Sequence, residues 1–245
     1  MAEPGLPVPD VAEKGGLRDG AHQTLDARLY MQLQAFGGCP DPAALVPALE
    51  AAPFGSVLYA DVADPVGVAL LTFATDPRFF VTELRAFLNA APFADLAHKP
   101  ALTMFGRSYS LGYEPDLADV LLHRPRRAVL HPEQRWAVWY PLRRAGAFAA
   151  APLGEQREML KEHGAIGMAY GRADLAHDVR LACFGLDAHD SDFVVALTGR
   201  DLHPLSKVVE EMRRTRQTSQ FMERLGPFFV GHAVWQRDAV DAAAP

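Results

Sequence analysis

Apolar and polar residues follow a β-α-β-β-α-β order in the first half of the chain. Alternation with a period of two residues predicts strands, and apolar residues three and four positions apart predict helices. The strand patterns occupy 26–37, 56–62, 66–75 and 101–113, and the helical patterns occupy 42–51 and a segment that starts after Asp76. Asp76 followed by Pro77 predicts the N-cap and the first turn of that second helix.

The second half repeats this order after a connection rich in Pro and Arg at 121–132. Strand patterns lie at 135–142, 177–184, 192–198 and 227–235, and helical patterns lie at 153–170 and 204–224. Such a β-α-β-β-α-β unit is typical of a ferredoxin-like sheet with helices on one face. We therefore predict an α+β chain of two ferredoxin-like halves, at 25–125 and 133–236. A loose arm at 1–24 and a tail at 237–245 flank them. The free faces of two such sheets can pack together, which predicts a ligand enclosed between them.

Composition narrows the class of protein. The chain has 245 residues, of which 49% are hydrophobic and 22% are charged, so it can bury a sizeable core. Its net charge of −6 argues against nucleic acid as the main partner. It contains neither an apolar run long enough for a membrane span nor a secretory signal pattern, which predicts a cytoplasmic protein. Cys39 and Cys183 have no partner motif, so neither a disulfide framework nor a cysteine-based zinc site is expected.

His163 is the first candidate for chemistry. On a helix over 153–170 it shares the apolar stripe of Met159. Gly164 and Gly167 each weaken a helix by about 1 kcal/mol relative to Ala, and they leave bare backbone beside the imidazole, where a flat group can approach. The alternative is a core histidine bonded to a backbone carbonyl, with the glycines relieving crowded packing.

A second candidate is the end of the strand at 135–142, where Tyr140 precedes Arg143 and Arg144. A phenol beside two guanidinium groups suits an anionic ligand, because arginine presents a planar fork that matches carboxylates. The alternative is an aromatic core strand with a solvated basic end. The predicted strand at 101–113 offers a similar mixture at alternate positions: Arg107, Tyr109 and Tyr113.

Two further segments carry weaker signals. Asp178 and Arg180 share one face of the strand at 177–184, where they either line a pocket or pair on an edge. The basic turn at 212–217 is interpreted as a solvated helix face.

Taken together, four motifs resemble the chlorite dismutase family, which includes the coproheme decarboxylases. They are Trp-Tyr-Pro-Leu-Arg-Arg, Glu-His-Gly-Ala-Ile-Gly-Met-Ala-Tyr, Gly-Leu-Asp-x-x-Asp-x-Asp-Phe and Gly-Pro-Phe-Phe-Val-Gly, which start at 139, 162, 185 and 226. The resemblance implies a dimeric α+β barrel within one chain, built from two ferredoxin-like halves. It also implies a homo-oligomer, usually a pentamer, that holds haem b or coprohaem in its C-terminal half.

The resemblance assigns roles to individual residues. It implies that His163 is the axial iron ligand and that Tyr140 forms the radical that attacks a propionate. It further implies that Arg143 or Arg144 holds a propionate, with Arg107 acting likewise from the N-terminal half. Gly167 lies beside the expected macrocycle.

Two positions depart from the family pattern. Counting forward from His163 places the distal residue at Ala176, whereas counting back from Gly185 places it at Asp178, and Arg180 is a further alternative that shares the face of Asp178. His177 completes the candidates for this position. The family acid that bonds the axial histidine is replaced by Gln217, and a neutral amide gives a weaker electronic push.

These observations lead to one main functional hypothesis and three alternatives. The main one is a haem-dependent oxidoreductase, most concretely one that decarboxylates coprohaem with peroxide. The alternatives are decomposition of chlorite to chloride and dioxygen with Arg180 as the distal group, a non-enzymatic haem carrier or sensor, and binding of another flat anionic ligand. The expected partners are therefore peroxide, chlorite or a porphyrin, with neither nucleic acid nor membrane.

Overall fold

A computed structural model describes residues 8–238. The strands are β1 (Glu13–Arg18), β2 (Ala21–Leu25), β3 (Tyr30–Gly37), β4 (Ser56–Asp61), β5 (Val68–Ala74), β6 (Ala97–His98), β7 (Met104–Arg107), β8 (Trp136–Arg144), β9 (His177–Ala182), β10 (Phe193–Gly199), β11 (Met222–Leu225) and β12 (Phe229–Arg237). The α-helices are α1 (Val46–Ala51), α2 (Glu83–Leu88), α3 (Arg124–Leu130), α4 (Gly146–Ala150), α5 (Leu153–Arg172), α6 (Leu202–Met212) and α7 (Arg216–Phe221).

Eight of these strands close into one antiparallel barrel. The N-terminal half orders its strands β7-β3-β5-β4, and the C-terminal half orders them β9-β10-β8-β12. Both are the spatial order of a ferredoxin-like sheet. The two sheets join where β4 pairs with β12 and where β7 pairs with β9. The predicted α+β barrel of two ferredoxin-like halves is therefore confirmed.

The interior of the barrel is filled by its own side chains. Residues that point inwards from both halves form one continuous buried cluster, which includes Met31, Leu33, Tyr59, Leu71, Trp139, Leu181, Ala196 and Phe229. Because these side chains occupy the space between the two sheets, the expectation that the sheets enclose a ligand is wrong. A ligand site must therefore lie on an outer face, beneath the helices.

The two outer faces are packed to different extents. The cluster beneath the N-terminal helices contains twelve fully buried residues and a set of Phe rings in edge contact, such as Phe54 on Phe79 and Phe54 on Phe87. The cluster beneath the C-terminal helices contains seven. Helix α5 buries fully only Met159 among its 20 residues. This contrast leaves the C-terminal half as the face with room for a ligand.

The N-terminal segment differs from its prediction as a loose arm. Strands β1 and β2 form a hairpin that is bonded to the loop after β7. The Gln23 amide donates to the Glu114 carbonyl at 3.0 Å, and the Glu13 carboxylate accepts from the Ser110 amide at 3.0 Å. These bonds order the hairpin although it carries few apolar residues. Residues 1–7 and, of the predicted tail, 239–245 lie outside the described residues.

Three further elements differ from their predictions. The connection at 121–132 is helical up to Leu130, because a π-helical segment at Asp119–His123 leads directly into α3. The strand expected at 101–113 is limited to β7, since the Glu13 and Glu114 carboxylates bind backbone N–H groups of the segment that follows. The single helix expected at 204–224 divides into α6 and α7, because Thr215 caps a new helix. In the described part of the chain, no helix combines the length and the apolar character needed to cross a bilayer.

Candidate ligand site beneath helix α5

Helix α5 turns His163 towards the C-terminal sheet. Met159, His163, Gly167 and Tyr170 are three or four residues apart and form its more buried face. Burial lowers the pKa of His163, and the positive charges of Arg144 and Arg180 lower it further. The imidazole is therefore neutral near pH 7, which is the form that binds a metal ion.

The hydrogen bonding of His163 does not match that of a core histidine tied to the backbone. Within residues 8–238 its one hydrogen-bond partner is the Thr215 hydroxyl, with 3.4 Å between Nδ1 and Oγ1. Thr215 lies between α6 and α7, on the chain segment that packs beside α5. The Nε2 atom makes no hydrogen bond to any described residue. One ring nitrogen is thus positioned by a neighbour and the other remains available.

The two glycines beside His163 are not required by packing. A Cβ atom placed on Gly164 meets no atom within 4 Å, and one placed on Gly167 meets only the methyl carbon of Met212, at 3.4 Å. Both glycines nevertheless weaken the helix by about 1 kcal/mol each relative to Ala. The alternative that they relieve crowded packing is therefore not supported, and the bare helix surface is free for a flat group.

Tyr140 lies on the outer face of β8, within the cluster beneath the C-terminal helices. Its side chain is 6% exposed, and its ring stacks on Phe228 with centroids 4.7 Å apart. Burial raises the pKa of Tyr140, with a smaller contribution from the negative charge of Asp178, whereas Arg213 opposes the shift. The phenol is therefore protonated throughout the physiological pH range.

Arg144 contributes a half-buried cation, whose pKa burial lowers against the opposing effect of the nearby Asp192 carboxylate. Its guanidinium lies between the rings of Phe148 and Phe193, at 4.6 Å and 4.8 Å from their centroids. The Nε atom of Arg144 has no hydrogen-bond partner in the described part of the chain. No ion pair joins it to another described residue. Arg144 therefore has bonding capacity left for an anionic group.

The other two candidate arginines are already paired. Arg143 points away from the outer face and forms ion pairs with Asp190 and, at 3.5 Å, with Glu223. Arg107 pairs with Glu13 of the hairpin at 2.9 Å. Of the three arginines predicted to hold a propionate, only Arg144 contributes to the lowered pKa of His163.

Asp178 and Arg180 lie side by side on the outer face of β9. The Asp178 carboxylate bonds Arg180 Nε at 2.8 Å and Arg124 at 3.0 Å. Of the other candidates for this position, Ala176 is buried among apolar side chains and His177 pairs with Asp174 at 2.7 Å. Asp178 and Arg180 are therefore the charged groups that β9 presents here.

A loop from the N-terminal half forms one wall of the site. It carries Tyr109, whose ring contacts that of Phe193 at 5.3 Å. Burial raises the pKa of Tyr109, against the opposing charges of Arg180 and Arg144. Tyr109 therefore belongs to the same charged surroundings as the two arginines.

Two residues near the site were not predicted from the sequence, because the basic turn at 212–217 was interpreted as a solvated helix face. Thr215, and not Gln217, bonds the imidazole of His163. Gln217 is 3% exposed, and its Oε1 atom has no partner among the described residues. The partner of His163 is Thr215 instead of Gln217 because the chain turns at 213–215, before α7 begins. A threonine three residues before Thr218 is an N-cap signal that would have identified this turn.

The second missed residue is Arg213, whose guanidinium lies 6.0 Å from the ring centroid of Phe228. It therefore lies near Tyr140, which stacks on the same ring. Arg213 also lines a depression of about 390 Å³, together with Thr218, Met222, Glu223, Arg224 and Leu225. A second cation thus borders the candidate site.

Comparison with known proteins identifies the family. Residues 83–234 match the family model described as chlorite dismutase. The chain belongs to the chlorite dismutase family. The resemblance noted in the four sequence motifs is thereby confirmed. No curated protein sequence matches the chain.

Solved structures share the fold of this chlorite dismutase family member. A heme-binding protein from Thermus thermophilus is 20% identical, with a TM-score of 0.66 over 92% of this chain and 94% of that one. A chlorite dismutase from Candidatus Nitrospira defluvii, in complex with imidazole, is 14% identical, with a TM-score of 0.65 over 85% of this chain and 92% of that one. At these identities the comparison establishes a common architecture.

Proposed function

We propose that the protein binds haem or coprohaem between α5 and the outer face of the C-terminal sheet, with His163 as the iron ligand. The observation that carries this proposal is the neutral imidazole of His163, whose Nε2 atom is free and is flanked by two glycines that packing does not require. Family membership and the heme-binding relative support it. The sparse burial beneath α5 supports it as well.

The residues of the candidate site match the two kinds of chemical group in a porphyrin, its apolar macrocycle and its charged propionates. The apolar cluster around Tyr140 and Phe228 matches the macrocycle. Arg144 and Arg213 offer positive charge for propionate groups, since a guanidinium forms strong, charge-assisted bonds with carboxylates. When bound, haem supplies redox-active iron that reacts with peroxide or chlorite.

We propose peroxide-dependent decarboxylation of coprohaem as the reaction. Tyr140 supports this reaction, because its phenol retains its proton and lies near the cation of Arg213. A protonated phenol can lose an electron and a proton together, and Arg213, which contacts the Phe228 ring on which Tyr140 stacks, would hold a propionate beside it. This assigns Tyr140 as the oxidisable residue and the arginines as propionate partners.

Chlorite decomposition is the second candidate, and the position of Arg180 favours it. The Arg180 side chain is 41% exposed on the outer face of β9, and its charge acts on His163. A cation there would attract chlorite. Its bond to Asp178 reduces that attraction, so we rank this reaction below decarboxylation.

Haem binding is tested with the full-length protein. The apoprotein is titrated with haem and with iron coproporphyrin, and absorption spectra are compared with those of His163→Ala. His189→Ala is the matched control, because His189 is exposed on a loop. We expect a ligand-bound spectrum in the wild type and the control, and its loss in His163→Ala. Identical spectra for all three proteins would reject His163 as the ligand.

The reaction is tested with the loaded protein. Peroxide is added to the coproporphyrin complex, and the porphyrin is analysed by mass spectrometry. We expect loss of carbon dioxide from propionates in the wild type, and loss of that reaction in Tyr140→Phe. An unaltered porphyrin together with dioxygen release from chlorite, measured with an oxygen electrode, would favour the second candidate. Haem binding with neither reaction would indicate a carrier or sensor.

A further inference from the structure

Thr215 has an arrangement of hydrogen bonds that determines which nitrogen of His163 carries the proton. Its Oγ1 atom lies 2.8 Å from the Met212 carbonyl oxygen and 3.4 Å from His163 Nδ1. The Thr218 amide donates to the same oxygen at 3.4 Å. The Thr218 hydroxyl also lies 3.3 Å from it, so the Thr215 hydroxyl has four contacts, to three residues.

The chemistry of these partners fixes the direction of each bond. A hydroxyl has one proton and two lone pairs, and a carbonyl oxygen can only accept. The shortest contact, to the Met212 carbonyl, therefore takes the Thr215 proton. The remaining contacts, to His163 Nδ1 and to the amide and hydroxyl of Thr218, can use only the lone pairs of Thr215, so His163 donates from Nδ1. Nε2 then holds the lone pair that a metal ion requires.

The carboxylates around this arrangement bind other groups; Asp178, whose charge acts on His163, pairs with Arg180 and Arg124. Glu162 accepts from the Arg216 amide at 3.2 Å, and Glu155 pairs with the Arg216 side chain at 2.7 Å. Neither forms a hydrogen bond with His163. The partner of the imidazole is thus a neutral hydroxyl rather than an anion.

We propose that Thr215 is the positioning residue of the iron ligand: it fixes the Nδ1–H tautomer of His163 and keeps the ligand a neutral imidazole. The proposal rests on the proposed haem ligation for its effect on iron, whereas the tautomer is a property of the chain alone. A carboxylate in this position would draw the Nδ1 proton towards itself and increase electron donation to iron. With a hydroxyl, the iron receives less electron density, and its reduction potential is higher.

The tautomer is tested in the full-length apoprotein by the ¹⁵N chemical shifts of the His163 ring. We expect the Nδ1–H form in the wild type and in Thr215→Ser, which retains the hydroxyl. We expect a mixture of tautomers in Thr215→Val, which removes it. An Nε2–H ring in the wild type would overturn the proposal without any reference to haem.

The electronic effect is tested in the haem-loaded protein by the reduction potential and by the iron–histidine stretching frequency in resonance Raman spectra. We expect Thr215→Asp to lower the potential and raise that frequency, and Thr215→Ser to reproduce the wild type. Ser219→Ala is the control, because Ser219 donates to the Thr215 carbonyl at 2.9 Å and does not bond His163. Unchanged potential and frequency in Thr215→Asp would reject the electronic role.

These outcomes separate this inference from the proposed function. Failure of haem to bind the wild type rejects the proposed function, and the tautomer measurement still decides the role of Thr215. Haem binding through His163 with an unaltered tautomer in Thr215→Val rejects the role of Thr215 alone. Thr215→Ser retains both the helix cap and the hydroxyl, and thermal unfolding of Thr215→Val shows whether its change comes from lost folding.

Discussion

Arg180 Nε lies 2.8 Å from Asp178 Oδ2 on the outer face of β9, while the other oxygen of the same carboxylate bonds Arg124 at 3.0 Å. Asp178 therefore compensates two cations beside the proposed haem site. Desolvation lowers the pKa of Arg180, but the Asp178 carboxylate and smaller negative contributions together outweigh it, so the guanidinium retains its charge. An anion that approaches Arg180 must compete with an existing partner.

Removal of this partner is expected to strengthen anion binding. In the haem-loaded protein, Asp178→Asn should lower the dissociation constant of azide, and Arg180→Ala should raise it. Ion pairs with this exposure contribute up to about 1 kcal/mol, which corresponds to at most roughly a fivefold change. Spectroscopic titration provides the measurement. Glu133→Gln is the matched control, because Glu133 pairs with Arg200. Equal azide affinities in all variants would show that Arg180 does not face the iron.

Arg144 is expected to recognise the carboxylates of the porphyrin. Arg144→Gln should weaken binding of iron coproporphyrin by roughly 10- to 100-fold, the usual range for a lost hydrogen bond to a charged group. Arg143→Gln should have little effect, because Arg143 is paired with Asp190 and Glu223. The comparison is repeated with the methyl-esterified porphyrin, which carries no propionate charge. An equal loss for the acid and the ester would contradict carboxylate recognition.

Replacing the glycines beside His163 with alanine is expected to stabilise the apoprotein and to weaken haem binding. Gly164→Ala and Gly167→Ala should each stabilise the apoprotein by up to about 1 kcal/mol, because Ala favours a helix and little lies near the new methyl groups. The same methyl groups should raise the dissociation constant for haem. Thermal unfolding and haem titration provide the two measurements. In Gly154→Ala, at the exposed start of α5, haem affinity should not change, and a loss there would show that helix propensity alone affects binding.

The two cysteines are expected to be unreactive in the folded protein. Burial raises the pKa of Cys183 to about 12, with smaller contributions from Asp187 and Asp192. At pH 8 roughly one Cys183 in ten thousand is then a thiolate, compared with about a quarter of unfolded cysteines. Burial also raises the pKa of Cys39. Reaction with a thiol reagent should therefore be slow until denaturant is added, and should accelerate as the pH rises. Rapid modification of the native protein would contradict the buried positions.

Local signals in the sequence predict much of the fold. Asp76 and Pro77 predict a helical start, and Asp76 Oδ1 accepts from the Arg78 amide at 2.9 Å as the cap of a 3-10 helix at Pro77–Val81, which precedes α2. Alternation at 56–62 and 66–75 becomes the pair β4 and β5. Hydrophobic periodicity and capping signals predict these elements because each element is determined by the residues within it. Their arrangement into two repeated units follows from the order alone.

Features that depend on contacts between residues far apart in the chain could not be predicted from local sequence signals. Residues 213–220 are all polar, so apolar periodicity cannot show where one helix ends and the next begins near Thr215. For the site, helix periodicity placed His163 on the apolar stripe of its helix, and the motif at 139–144 placed Tyr140 beside Arg143 and Arg144. The contact between His163 and Thr215, 52 residues apart in the chain, depends on how α5 packs against that break. Alternation along β8 puts Arg144 on the face of Tyr140, whereas the ion pairs that occupy Arg143 come from Asp190 and Glu223, which lie far away in the chain.

The pairing of β4 with β12 has a consequence for how the chain can be divided. Six residues of β12 are matched to β4, which comes from the opposite half, and inward-pointing side chains of both halves share one core. A fragment that ends before β8 would expose two unpaired edges and half of that core, conditions that favour aggregation. The two fragments should therefore fail to fold separately and should reassemble when they are produced together. A circularly permuted chain that opens between α3 and β8 should fold, because it preserves every strand pair.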